Sequence, residues 1–289
     1  MPHVPVIPPV CRPGDRVALV SPSWAAPAHY PALHDLAIAR LQDDLGLIPV
    51  EHPTTRTAGA PAARARDLMA AFTDPEIRAV MATIGGDDQI TVLPHLDAAA
   101  LSADPRSLTD LPVDQPSPEG WTWVDCPVSV TGRTWGGNLE VLPWILGVGA
   151  HVRPVTAYEG CILLLETSEE HPPAADVRCM MTVLGERGLL SQVAGVVAAR
   201  PASHDRGDDP GPSARQAYRD AQRDTIVAAV ARYAPGIPVV VGVEFGHTSP
   251  QYVLPYGGPL RLDPAIGALV VENGASTPSG ARQEAKGCV

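Results

Sequence analysis

Three short patches hold residues whose types and spacing suit acyl-bond hydrolysis. The first is Ile84-Gly85-Gly86-Asp87-Asp88-Gln89. Paired glycines after an apolar strand let the backbone turn sharply and present the leading N–H groups of the next helix to an anion or oxyanion. The plainer alternative is punctuation: Gly-Gly ends the strand and the aspartates cap the helix. The second patch is CILLLETSEE at 161–170. Glu166 closes its apolar run, where a carboxylate can orient a histidine. The alternative is a helix N-cap at Thr167 or Ser168 followed by solvated acids. The third is Phe245-Gly246-His247-Thr248-Ser249-Pro250. His247 follows the strand-like VVVGVEF and sits among turn formers, where loops present functional side chains. It reads equally well as an ordinary loop histidine. The remaining histidines lack the i,i+4 partners of a metal site, with His171 beside the acidic run a mild exception. No metal is expected.

The elements that would hold these patches follow a parallel α/β order. Strands are expected at 16–21, 47–50 and 78–84, alternating with helices at 31–45, 60–73 and 89–96. The stretch 102–120 holds four prolines and little periodicity, and reads as a linker or an irregular excursion. Beyond it, strands are expected at 122–130, 161–166, 193–198 and 238–243, with helices at 174–187 and 213–233 and a hairpin within 252–262. The last residues, from 275, read as a frayed tail.

Composition narrows the function classes. The chain has 289 residues, 45% of them hydrophobic and 18% charged, enough to bury two cores. Its formal charge is −11 and it has no basic cluster, which argues against a nucleic-acid partner. No apolar run reaches the ~20 residues that span a bilayer, and no secretory signal is visible, so a cytoplasmic address is expected. Five scattered cysteines (11, 126, 161, 179 and 288) contain no C-x-x-C pair, so neither a disulfide framework nor a thiolate zinc site is expected. Cys161 and Cys179, in apolar contexts, read as small core residues. No cofactor signature is present: the corner is not G-x-G-x-x-G, and no Walker A lysine exists.

In this order the patches resemble the LD-carboxypeptidase and microcin C immunity peptidase family of serine hydrolases. Residues 13–23 (PGDRVALVSPS) look like its opening strand, and 67–97 (DLMAAFTDPEIRAVMATIGGDDQITVLPHLD) are similar to its nucleophile segment. Gly136-Gly137-Asn138-Leu139 matches its G-G-N-L element, Leu164-Leu165-Glu166 the strand ending in its glutamate, and 245–250 its histidine loop. The resemblance implies an α/β fold: an open parallel sheet in an N-terminal domain at 1–105, a linker at 106–120, and a smaller mixed α/β domain at 121–274. It implies that a serine attacks a carboxyl-terminal amide, that His247 is the general base, and that Glu166 fixes its tautomer. Gly85, Gly86 and Asp87 would form the oxyanion and substrate-binding corner. The implied substrates are muropeptides cut at an L,D bond, or peptidyl- or aminoacyl-nucleotide conjugates.

Two departures stand out. Gln89 occupies the position of the family's serine, and a carboxamide has no O–H to deprotonate. Losing such a serine costs on the order of a million-fold in turnover. Thr91, two positions on, would lie ~200° around a helix axis from it. The second departure is an apparent deletion after Asp97, where the family carries a further strand with substrate-contacting loops. Two readings therefore stand side by side, a serine-type peptidase with an altered nucleophile position and a silent protein that binds a peptide or nucleotide conjugate. A homodimer is a further expectation, because a shortened first domain would gain stability from a second copy.

Overall fold

Strand β1 (Arg16–Val20) is apolar on both sides of its pleat, and that alone requires it to be covered twice. The computed structural model describes residues 11–97, 100, 120–149, 152–203, 210–248 and 251–271. It divides into two units, Met1–Asp110 and Leu111–Val289. In the first, β1 is the centre of a three-stranded parallel sheet between β2 (Ile48–Glu51) and β3 (Ile77–Ala82). Val17 and Leu19 pack on one face with Leu41 and Leu47, below helix α2 (Pro31–Asp43), which follows the short α1 (Ala26–His29). Ala18 and Val20 pack on the other face with Ala71 of α3 (Pro61–Thr73) and Ile77. A buried network of hydroxyls stitches the carboxyl ends of β1 and β3. Ser21 Oγ donates to Thr55 O at 2.7 Å and lies 2.8 Å from Thr83 Oγ1.

The second unit holds a seven-stranded mixed sheet in the order β10-β9-β5-β6-β7-β8-β4. Its members are β4 (Thr122–Val124), β5 (Val130–Asn138), β6 (Ile162–Glu166), β7 (Gly195–Ala199), β8 (Val239–Val243), β9 (Pro259–Asp263) and β10 (Ala268–Val271). Strands β5 to β8 run parallel. One face is covered by α5 (Ala174–Glu186) and α6 (Pro212–Tyr233), whose Val177, Met181, Ile226 and Val230 meet Leu163, Leu165, Val196 and Val241. On the other face Leu260, Leu262 and Leu269 of β9 and β10 pack against Ile162, Leu164 and Val240. The sheet therefore curls over its own inner face.

Strand β5 makes that curl possible. Its first half pairs antiparallel with β9 and its second half parallel with β6. At Gly136 (φ +136°) a Cβ would lie 2.0 Å from Leu164 O, so only glycine lets β5 close on β6 there. A short helix, α4 (Leu142–Val148), follows.

Several expectations need correction. The second unit, expected to be the smaller, carries the larger sheet, because β4, β9 and β10 extend the parallel core of β5 to β8. The expected strand at 122–130 is two: β4 pairs antiparallel with β8 at the edge, and β5 only begins at Val130. The expected hairpin at 252–262 is displaced to β9–β10. The expected helix at 89–96 is a 3₁₀ helix, Asp87–His95, containing Pro94. Cys179 is exposed on α5, and Cys161 is half-buried against the helix-side core. The linker up to residue 119 and the tail from 275 lie outside the described residues.

Candidate active site

Glu166 is the last residue of β6, and His247 lies four residues beyond the end of β8. The two strands flank β7 and run parallel, so their carboxyl ends open on one edge of the sheet. Between them His247 Nδ1 donates to Glu166 Oε2 at 2.6 Å. This fixes the neutral tautomer with its lone pair on Nε2, the arrangement a general base needs. The carboxylate is 10% exposed and the ring 43%, so the pair has a closed side and an open side.

Local backbone geometry makes the contact. Gly246 has φ +77°, and a Cβ there would lie 2.7 Å from Glu166 Cβ and 2.8 Å from its Oε2. The missing side chain is the space the carboxylate occupies. Beyond the histidine, Arg200 Nε donates to Thr248 Oγ1 at 3.1 Å, and Gln251 Nε2 donates to Gly246 O. Ahead of it, Glu244, 2% exposed, accepts a 2.7 Å bond from Trp121 Nε1. On the β6 side, Leu139 N donates to Glu166 O at 2.7 Å, and Asn138 Oδ1 accepts from Val141 N at 2.9 Å. That is what the G-G-N-L element does here: it brings β5 against β6 and holds the end of β6.

The surroundings of the ring are acidic. Glu169 Oε2 lies 3.3 Å from Nε2, on a side chain 67% exposed. Glu140 accepts from the backbone N–H and hydroxyl of Ser168 at 2.9 and 2.8 Å. The hydrogen bond to Glu166 raises the pKa of His247 above the ordinary histidine value; partial burial opposes this, and the charges of Glu166, Glu169 and Glu140 add to it. The imidazolium is therefore more stable here than that of an unpaired histidine. Glu169 and Glu140 were not anticipated from the sequence. The helix-cap alternative for Thr167 and Ser168 does not hold, because the next helix after β6 starts only at Ala174 and its N-cap is Pro173.

In the first unit, Gly86 is the N-cap of the 3₁₀ helix, at φ +133° and ψ 163°, a region open essentially to glycine alone. The N-cap residue is itself glycine and brings no capping side chain. Asp88 accepts from Arg64 Nη2 at 2.5 Å. The same buried guanidinium donates through Nη1 to Pro22 O at 2.9 Å and Ser23 O at 2.7 Å. Thr91 Oγ1 donates to Asp88 O at 2.6 Å and accepts from Arg64 Nη2 at 3.2 Å, so its hydroxyl is committed locally. Gln89 is exposed, and its N–H donates to Gly86 O at 3.2 Å. Its φ is not positive, so the backbone strain of a nucleophile elbow is absent at this position. The structure thus joins Glu166 to His247 in one unit and sets Gly85, Gly86, Asp87 and Gln89 on a corner of the other. Among the described residues, no three His, Cys, Asp or Glu side chains are grouped to hold a metal.

Comparison with known proteins places this geometry. Residues 17–109 match the LD-carboxypeptidase N-terminal domain and residues 131–262 match the LD-carboxypeptidase C-terminal domain. A Vibrio cholerae protein with a provisional carboxypeptidase name is 35% identical over 168 residues, spanning 56% of this chain and 41% of that protein. The chain thus matches well under half the length of that relative. An MccF-like protein from Streptococcus pneumoniae, solved with AMP, superposes with a TM-score of 0.74 at 20% identity, covering 90% of this chain and 99% of the other. The microcin C7 self-immunity protein MccF, solved with aspartyl sulfamoyl adenosine, gives 0.69 at 19% identity over 90% and 96%. These last two likenesses are likenesses of fold. The chain belongs to the LD-carboxypeptidase family.

Proposed function

We propose that this chain is built as a hydrolase of an amide bond at a carboxylate-bearing end, in a muropeptide or in a peptidyl- or aminoacyl-nucleotide conjugate, and that it works in the cytoplasm. The observation that carries the reading is the 2.6 Å bond from His247 Nδ1 to Glu166 Oε2 at the carboxyl edge of a parallel sheet. In this proposal His247 takes a proton at Nε2 and Glu166 stabilises the resulting imidazolium. The N–H groups at Gly85, Gly86 and Asp87 receive the developing oxyanion. Gln89 offers no O–H, so the attacking group is either a water deprotonated by His247 or a carboxylate at 87 or 88. Family membership supports the reaction class, and the AMP and aspartyl sulfamoyl adenosine bound by fold relatives support a nucleotide conjugate as ligand. Among the described residues, no helix is long and apolar enough to cross a membrane.

A second reading is favoured by the residue at 89 itself: a binding protein that holds such a conjugate without turning it over. The two part in one experiment. The purified chain, Gln89→Ser and His247→Ala are each incubated with an L,D-tetrapeptide and with an aminoacyl-nucleotide amide. Turnover by the parent that His247→Ala abolishes supports the hydrolase. Binding without turnover, with activity only in Gln89→Ser, supports the silent binder.

A further inference from the structure

The hydroxyl of Ser23 is 7% exposed as part of its residue, and its Oγ has no hydrogen-bond partner. A buried hydroxyl left unsatisfied costs free energy, and a fold retains one when something outside the fold completes it. Its position says where. Ser23 follows the carboxyl end of β1, and a Cβ on Gly86 would stand 2.7 Å from Ser23 Oγ. The oxygen therefore faces the α-carbon of the N-cap residue, on the side where any other residue would project its side chain. Gly86 is required twice, for its backbone angles and for this space. Beside it the 3₁₀ helix Asp87–His95 begins, and the leading N–H groups of a helix have no partners within it. Ser21, two residues earlier, shows the contrast, because its hydroxyl is fully used between Thr55 and Thr83.

We infer that Ser23 Oγ–H is the side-chain donor of an acceptor-binding site at the Gly85-Gly86 corner, which takes a carboxylate or the oxygen of an amide carbonyl together with the first helix N–H groups. A ligand oxygen there receives one hydroxyl donor and the backbone donors of the corner, the geometry an oxyanion requires. Arg64 acts behind this arrangement. By clamping the carbonyls of Pro22 and Ser23 to the Asp88 carboxylate it fixes the serine against the helix start. No base contacts Ser23 Oγ among the described residues, so its role is donation and not attack. The inference rests on reading the corner as the acyl-binding side of the proposed function.

The test is an acetate titration of the full chain followed by the backbone amide shifts of Gly86, Asp87 and Asp88, for the parent, Ser23→Ala and Ser23→Cys, with a thermal melt of each. Acetate is expected to move these amides in the parent and to bind about tenfold more weakly to both variants, the worth of one hydrogen bond to a charged acceptor. Ser23→Ala is expected to melt at or above the parent, because removing an unsatisfied hydroxyl relieves its desolvation. Unmoved amides in the parent overturn the inference, as do variants that titrate like the parent. A lower melting temperature or failure to fold in Ser23→Ala, with Ser23→Cys binding acetate as the parent does, assigns the hydroxyl to the fold and also overturns it. Aspartyl sulfamoyl adenosine is titrated in parallel. If acetate gives the expected pattern and the conjugate does not bind, the acceptor site stands and the proposed function fails.

Discussion

At the scale of single residues the site turns on one imidazole between two carboxylates. With Glu166 at Nδ1 and Glu169 facing Nε2, the charged ring is satisfied on both sides, and deprotonation turns the Nε2 lone pair toward a negative charge. A histidine titration by NMR is expected to give a His247 pKa above about 6.5. Glu166→Gln should bring it down toward that value, and Glu169→Gln should lower it by a smaller amount; an unmoved pKa in Glu166→Gln would contradict the assigned contact. Gly246→Ala tests the space around the pair. Its positive φ alone costs about 1–2 kcal/mol, and the new methyl would stand against Glu166, so a lower melting temperature and a fallen His247 pKa are expected together. Residue pattern alone left Glu166 and His247 readable as an ordinary strand end and loop, and it was the family resemblance that put the two together. Glu140 and Ser23 were legible by neither route. The first reaches the site through Ser168, and the orphaned state of the second exists only once Gly86 is folded against it.

At the scale of elements, the same glycines that position the site disguised the strand that carries them. Strand β5 reads as a broken run in sequence because Gly132, Gly136 and Gly137 are poor strand residues, yet close approach to the backbone of the segment 160–164 is what requires the first two. The parallel strands β6, β7 and β8 were legible for the opposite reason, since burial on both faces leaves a nearly unbroken apolar run. Substitution separates the two effects at β5. Gly137→Ala meets no atom within 4 Å and should cost only its backbone angle, about 1–3 kcal/mol. Gly136→Ala drives a methyl into Leu164 O and should cost on the order of 4 kcal/mol or prevent folding; equal losses in urea melts would contradict the packing described. In the first unit, Arg64→Ala strands two backbone carbonyls, and a loss of about 2–3 kcal/mol is expected by the same measurement. Arg64→Lys should recover little of it, because a point charge cannot replace the planar fork.

At the scale of the whole molecule, the order of the patches along the chain carried more information than any patch alone, and it identified the family before the geometry was known. Sequence did not reveal how the second sheet closes, because β9 and β10 complete it by long-range antiparallel pairing. The raised pKa of His247 also links the pair to stability. A histidine whose folded pKa lies above its unfolded value stabilises fully below about pH 6.5 and loses that contribution as pH rises through the folded value. With the ring 43% exposed the effect is small, so the melting difference between the parent and His247→Ala should be modest at about pH 6 and vanish by about pH 9. The dimer expected from the shortened first domain is checked by sedimentation over a range of concentrations, where a persistent monomer would refute it. The account as a whole is tested most directly by the pH dependence of aminoacyl-nucleotide amide hydrolysis by the parent and His247→Ala. It predicts cleavage that rises with pH through a midpoint above about 6.5 in the parent and is lost in the variant. A variant that cleaves as fast as the parent, or a parent inert at every pH, would contradict it.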